Sequence, residues 1–221
     1  MDYHYNIGIG NHNSDTFITI NDNTIKFING DIYTGNMIQI NDKFLFHGNG
    51  KYTSKLSNYI FDGMWINGMP DNGILTFPNG DQFNGEFYNA TIFKGFMIYT
   101  NLTTTFNGEF QNDLPYKGIM TFPSGQTFNG EWYNKQFYKG IITCLNGSIF
   151  NGEFKDDQFY KGIYTDLNGS IFNGEFKNQE FYKGIYTCKT GFEFNGEFKD
   201  KKLYKGTITS PTGVKSNIDI L

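Results

Sequence analysis

A pentapeptide that returns at a fixed interval constrains this chain more than any other feature. FNGEF begins at Phe83, Phe106, Phe150, Phe172 and Phe194, and FNGEW at Phe128; degenerate forms, FDGMW and YTGNM, begin at Phe61 and Tyr33. The starts are separated by 28, 22, 23, 22, 22, 22 and 22 residues. A period held over most of 221 residues marks an array of stacked units, each burying its apolar face against its neighbours. The long gap places additional residues around Gln39–Phe46, and the single extra residue of the 23-residue gap falls in a turn near Tyr99–Thr104. A last copy, SNIDI from Ser216, has Ile218 in place of its glycine, as a terminal cap tolerates.

The unit from Phe150 to Ile171, FNGEFKDDQFYKGIYTDLNGSI, divides into two strands and two turns in the pattern 8, 3, 8, 3. Strand A is read as Ser148–Lys155, a turn as Asp156-Asp157-Gln158, strand B as Phe159–Asp166, and a second turn as Leu167-Asn168-Gly169. Gly169 stands where a three-residue hairpin loop needs a left-handed residue. The division sets Lys155 opposite Phe159, Phe154 opposite Tyr160, Glu153 opposite Lys161, Gly152 opposite Gly162 and Phe150 opposite Tyr164. Across the second turn, Phe172, Gly174 and Glu175 oppose Tyr164, Gly162 and Lys161. Both sides of strand B agree, so like aligns with like, and a one-residue slip would scramble every row.

Side chains alternate between faces of a strand. One face is therefore expected to carry two aromatic rows. The first is Phe154, Tyr160, Phe176, Tyr182, Phe198 and Tyr204; the second is Phe150, Tyr164, Phe172, Tyr186 and Phe194. Between them lies a trough of Gly152, Gly162, Gly174, Gly184, Gly196 and Gly206, over which aromatic rings can lean. The other face alternates Glu153, Lys161, Glu175, Lys183, Glu197 and Lys205. The fold class that follows is all-β: an elongated, twisted, single-layer antiparallel meander of tandem hairpins, about 16–18 strands by this division. Residues 1–32 read as a lead and capping hairpin (Thr16–Phe27), residues 33–213 as the repeat array, and 214–221 as a capping strand, Val214–Leu221.

Composition agrees. Aromatic residues make up 19% of the chain, with 27 Gly and 5 Pro, a mix that favours strands and tight turns, and no window has helical periodicity. With a net charge of −4 and no basic stripe, nucleic-acid binding is not expected. No Lys/Arg cluster speaks for a charged membrane surface, no run reaches the length of a membrane span, and the polar start shows no signal peptide. Cys144 and Cys188 occupy the same repeat position four strands apart. That is roughly 19 Å at 4.8 Å per strand, too far for a disulfide, so both read as free thiols of a reducing, cytoplasmic compartment. The N-x-S/T sequons at Asn89, Asn101, Asn146 and Asn168 are expected by chance in so Asn-rich a chain.

Chemistry-bearing motifs are absent. His4, His12 and His47 lack metal-ligand spacing. No phosphate loop, nucleophile elbow or catalytic triad can be nominated, and glutamates spread along a Glu–Lys ladder make a poor acid–base pair. No catalytic residue, metal or cofactor is expected.

The aromatic-x-Gly-Glu-aromatic strand, short turn, Gly-bearing strand and Asn-Gly turn together resemble the MORN repeat (membrane occupation and recognition nexus) from roughly Tyr33 to Gly213. This chain departs from that pattern in having Phe at 150, 172 and 194 where the family has Tyr, a shorter A–B turn, and Tyr160-Lys161-Gly162 in place of Gly-x-Gly. The resemblance implies a single-layer sheet used as a scaffold or targeting module, with self-association or acidic phospholipids among the family's properties. The expected function is a non-enzymatic scaffold binding a protein partner, with a homodimer possible, and with the two aromatic rows and the sheet edges as contact surface. Targeting to acidic membranes is the alternative, although charge does not support it, because each lysine of the ladder sits beside a glutamate. An enzyme or glycan-binding trough is a third reading, and it requires a deep polar pocket.

Overall fold

The computed structural model describes residues 17–220 apart from Asp22, Asp42 and Lys201. The lead at 1–15, with His4 and His12, lies outside the described residues, as do Thr16 and Leu221. The chain condenses into two compact units, residues 1–118 and 119–221.

In the first unit the strands are β1 (Phe17–Asn21), β2 (Thr24–Phe27), β3 (Ile32–Ile40), β4 (Lys43–Thr53), β5 (Ile60–Ile66), β6 (Met69–Thr76), β7 (Gln82–Tyr88), β8 (Thr91–Tyr99) and β9 (Thr104–Gln111). The division between units falls within β10 (Leu114–Thr121). The second unit continues with β11 (Thr127–Tyr133), β12 (Gln136–Thr143), β13 (Ile149–Lys155), β14 (Gln158–Thr165), β15 (Ile171–Lys177), β16 (Glu180–Thr187), β17 (Glu193–Lys199), β18 (Lys202–Thr209) and β19 (Lys215–Asp219). Within each unit, consecutive strands pair antiparallel, as the repeat demands. The extra residues near Gln39–Phe46 lengthen the β3–β4 hairpin, and the extra residue near Tyr99 forms a short 3-10 turn, Thr100–Leu102, closed by Thr103 at φ 47°.

The middle of each repeat pairs as the sequence predicts. Phe150 opposes Tyr164, Gly152 opposes Gly162 and Glu153 opposes Lys161; Phe172, Gly174 and Glu175 oppose Tyr164, Gly162 and Lys161 in turn. The second turn is also as expected: Asp166 N–H donates to Ser170 O at 3.0 Å, Gly169 N–H donates to Asp166 O at 3.0 Å, and Gly169 is left-handed at φ 83°.

The first turn differs. It has two residues, Asp156 and Asp157, both left-handed at φ 52° and 59°. Asn89-Ala90, Asn112-Asp113, Asn134-Lys135 and Asn178-Gln179 repeat this geometry. Such a turn matches the right-handed twist of its strands, and Asn or Asp tolerates the left-handed conformation better than other side chains. Gln158 joins the strand opposite Lys155, and Phe154 opposes Phe159 rather than Tyr160. The register recovers through a bulge at Tyr160, one residue further on. The expected pairings of Lys155 with Phe159 and of Phe154 with Tyr160 are therefore corrected. The same bulge recurs in β16 and β18.

The core lies on one face of the sheet. Phe150 meets Phe154 of its own strand edge-on at 5.1 Å and Phe176 of the next repeat at 5.2 Å; Phe172 meets Phe176 at 5.1 Å and Phe198 at 5.4 Å. Each repeat thus supplies the ring that its predecessor's core lacks, and edge-to-face pairs add about 0.5–1.5 kcal/mol beyond burial. In the first unit Trp65 takes the central place, edge-on to Tyr33 at 5.5 Å, Phe46 at 5.0 Å and Phe61 at 5.0 Å, with its indole N–H donating to Gly50 O at 3.0 Å.

Candidate interaction groove

The two faces of the second unit divide the sequence-predicted contact residues. Phe150, Phe154, Phe172, Phe176 and Phe198 are buried, and Tyr164, Tyr186 and Phe194 are half-buried on the same face. The glycine row is closed by the rings, as the sequence suggested: a Cβ on Gly162 would lie 3.0 Å from Phe150 Cζ and 2.7 Å from Gly152 Cα, and would collide with Asn151 O. Gly152, Gly174, Gly184, Gly196 and Gly206 are packed against the opposing backbone in the same way. The row therefore carries no ligand channel; it is filled core.

Tyr160, Tyr182 and Tyr204 are not in the aromatic row. The bulge carries them to the Glu–Lys face. Tyr204 Oη donates to Glu197 Oε2 at 2.9 Å, and Lys177 Nζ stands 5.8 Å above the Tyr182 ring. Tyr160 and Tyr182 are 46% and 43% exposed. The glutamate hydrogen bond is the main cause that raises the Tyr204 phenol above its ordinary pKa. Their places in the core row go to Phe159, Phe181 and Leu203, which oppose Phe154, Phe176 and Phe198. Phe159 stacks on Phe150 at 4.0 Å and Phe181 on Phe172 at 4.1 Å. The sequence held a signal for this exchange: Phe stands one residue before Tyr in three consecutive repeats, Phe137-Tyr138, Phe159-Tyr160 and Phe181-Tyr182. The Asn or Asp that opens each of these turns, at Asn134, Asp156 and Asn178, suits the left-handed start of a two-residue turn and so points to Phe as the inward residue.

On the core face of the second unit, the half-buried rings line an open groove of about 720 Å³. Its floor includes Phe159, Tyr164, Phe176, Phe181 and Tyr186. Its polar margin includes Asp166, Gln179 and Glu180, and among the described residues no Lys or Arg lines it. Asp166 Oδ1 accepts from Asn168 N–H at 2.8 Å and Ser170 N–H at 2.9 Å, so the carboxylate both shapes the turn and carries charge to the groove. Leu145 and Leu167, adjacent in their turns to Cys144 and Asp166, are 71% and 72% exposed. Cys144 and Cys188 are free thiols.

The Glu–Lys face is a solvated ladder. Glu153 pairs in register with both Lys139 and Lys161, and Lys139 Nζ lies 3.1 Å from Glu131 Oε2. Exposed pairs of this kind contribute about 0–1 kcal/mol. Among the described residues no group of three or more His, Cys, Asp and Glu is placed to hold a metal, and no helix is long and apolar enough to cross a membrane.

A polar cluster of the first unit is structural. Asp31 is buried in the β2–β3 turn, where it accepts from Tyr52 Oη, from Asn29 Nδ2 at 2.7 Å and from Lys55 N–H at 2.8 Å. Burial and, next, the Asp31 hydrogen bond push the Tyr52 phenol well above its ordinary range, and burial pushes Tyr33 and Tyr59 up to about 12. Asp81 repeats the turn, accepting from Asn79 Nδ2 at 2.8 Å and Thr100 N–H at 2.8 Å.

No protein-family model matches the chain, and no curated protein matches it. Some solved structures show a distant likeness. The TCP domain of Drosophila melanogaster SAS-4 (dCPAP), in complex with a proline-rich motif of Ana2 (dSTIL), is 15% identical over 83% of this chain and 88% of that one, with a TM-score of 0.41. The TCP10 domain of Danio rerio CPAP, in complex with a STIL peptide, is 12% identical over 89% of this chain and 82% of that one, also at 0.41. A likeness this distant assigns neither family nor partner.

Proposed function

We propose that the chain is a MORN-like repeat scaffold, not an enzyme, that binds a protein partner through the core-face groove of its second unit. The observation that carries this reading is a contrast along one array. In the first unit Leu75 and Met97, and Pro70 and Ile92, are buried; in the second unit the residues at the matching repeat positions, Tyr164 and Tyr186, and Phe159 and Phe181, are half-buried and line an open groove. Large apolar surface left open in a folded unit is characteristic of interaction sites. The free thiols support residence in a reducing, cytoplasmic compartment. No observation favours acidic-lipid targeting, because the lysines of the other face stand in register with glutamates.

A photo-reactive benzoylphenylalanine placed at Leu145, which lines the groove, or at Leu167, next in sequence to the groove residue Asp166, is expected to cross-link a protein in the native host. The same group at Tyr160, on the opposite face, is expected to give none. Cross-linking from Tyr160 alone, or salt-sensitive sedimentation with acidic liposomes and no protein adduct, would overturn the reading.

A further inference from the structure

We infer that the groove takes two aromatic side chains, three residues apart in an extended and positively charged segment of a partner protein. This rests on the groove being the interaction site. The deciding position of the repeat is the residue that opens each B-to-A turn. It is recognisable by its backbone: its N–H donates to the carbonyl four residues on, and its carbonyl accepts from the turn glycine. Phe27, Phe77 and Phe122 hold this position early in the chain, while in the longer β4–β5 turn Ser54 holds it and the buried Tyr59 supplies the ring; Cys144, Asp166, Cys188 and Ser210 hold it later. Phe27 and Phe77 are buried. The Phe122 ring lies edge-on to Phe137 at 6.4 Å. One repeat further, Cys144 and Phe159 occupy the matching positions, and after that Asp166 and Phe181; all four line the groove. The groove is thus open where the later repeats have lost the aromatic residue that their predecessors fold inward. The Phe122–Phe137 pair shows how an aromatic ring sits at this position.

Charge and spacing define the rest of the ligand. Among the described residues Asp166 and Glu180 line the groove and no basic residue does, and the chain carries a net charge of −4, so a cationic segment is favoured, its ammonium or guanidinium groups able to lie over the Tyr164 and Tyr186 rings. The two open positions are one repeat apart, two strands at about 4.8 Å each, or about 9.6 Å. A β-strand returns its side chains to one side at about 6.7 Å or about 13 Å, and neither fits. A polyproline II segment returns them every third residue, at about 9.3 Å, and fits.

The test uses fluorescence anisotropy with the full chain and a fluorescein-labelled peptide of three Gly-Arg-Phe units, compared with peptides carrying Ala for Phe or with Phe at every second position. Saturable binding is expected, weakened at least tenfold in either comparison peptide. Cys144→Phe and Asp166→Phe refill the positions from within, and each is expected to weaken binding at least tenfold. Asp166→Asn, which keeps the turn acceptor and removes the charge, should weaken it about threefold and flatten its salt dependence. Lys161→Ala on the other face should leave it unchanged. Wild-type affinity in both refilled variants, with circular dichroism unchanged, would overturn the inference, as would equal binding of the every-second-position peptide. If no peptide binds yet Cys144→Phe abolishes the adduct formed from Leu167, the ligand chemistry is wrong and the groove reading stands; if no adduct forms either, both fall.

Discussion

Replacing Gly162 with valine probes the feature on which the array depends, the close approach of strands over the glycine row. A Cβ at this position would lie 2.7 Å from Gly152 Cα, 3.0 Å from Phe150 Cζ and in collision with Asn151 O. Two of these three neighbours are backbone, so side-chain repacking cannot relieve the contact. Overpacking of a tight core costs about 1–3 kcal/mol, and expelling the fully buried Phe150 ring would cost about 3–5 kcal/mol. The strands are expected to part before the ring is lost completely, giving a loss of about 3 kcal/mol. For a unit of about 100 residues, each kcal/mol moves the melting temperature by about 4–8 °C, so a fall of about 12–24 °C is expected. Far-UV circular dichroism melts, with urea midpoints as an independent measure, would record it. Gly162→Ala should be nearly as harmful, because the Cβ alone makes the contact. Adding Phe150→Leu should not restore stability, because the backbone neighbours remain. Lys161→Ala, one residue away on the exposed ladder, should shift the melt by less than about 2 °C. Equal shifts at 161 and 162, or an alanine tolerated at 162, would refute the face assignment and the strand approach together.

Four other changes test separate parts of the structure. Gly169→Ala meets no neighbour within 4 Å but requires a left-handed residue at φ 83°, so a loss of about 1–2 kcal/mol is expected in urea unfolding; a silent change would mean the turn does not need that conformation. Phe159→Ala should destabilise by about 3 kcal/mol and Tyr160→Ala by less than about 1 kcal/mol, and the reverse order would place the bulge one residue away. Asp31→Ala strands the Tyr52 hydroxyl and the Lys55 N–H and is expected to cost about 3 kcal/mol, read as a lower urea midpoint. Finally, Tyr33 and Tyr59 titrate near 12 when folded against 10.0 ordinarily, so the folded state holds more protons between those values. Their contribution is complete below pH 10 and lost as pH rises through 12; urea midpoints taken across that window should fall, less steeply in Tyr59→Phe, and an identical slope would count against the buried phenol.

Much of this architecture is legible in the sequence. The interval between FNGEF copies determined a stacked array, and pairing Gly152 with Gly162 and Phe150 with Tyr164 followed from requiring both edges of one strand to agree. Those central pairs are over-determined, because a slip there exposes a whole aromatic row. Pairing near the first turn was not over-determined. A three-residue turn with regular strands and a two-residue turn with a bulge use the same number of residues, and only the backbone twist selects the second. That choice moved Tyr160, Tyr182 and Tyr204 to the opposite face and put Phe159, Phe181 and Leu203 in the core.

The groove was less legible still. Cys144 reads in sequence as a free thiol and Asp166 as the last residue of a strand, and nothing local marks them as successors of Phe77 and Phe122. The sequence by itself determined the repeat, the alternation of faces and the glycine contacts, because these depend on periods of two and twenty-two that any reader of the chain can count. Only the tertiary structure decided which aromatic of each Phe-Tyr pair faces inward and where the core face stays open. Those depend on how a bulge turns the backbone and on which ring fills the space over its neighbour, and both are settled in three dimensions between residues that are not adjacent in sequence.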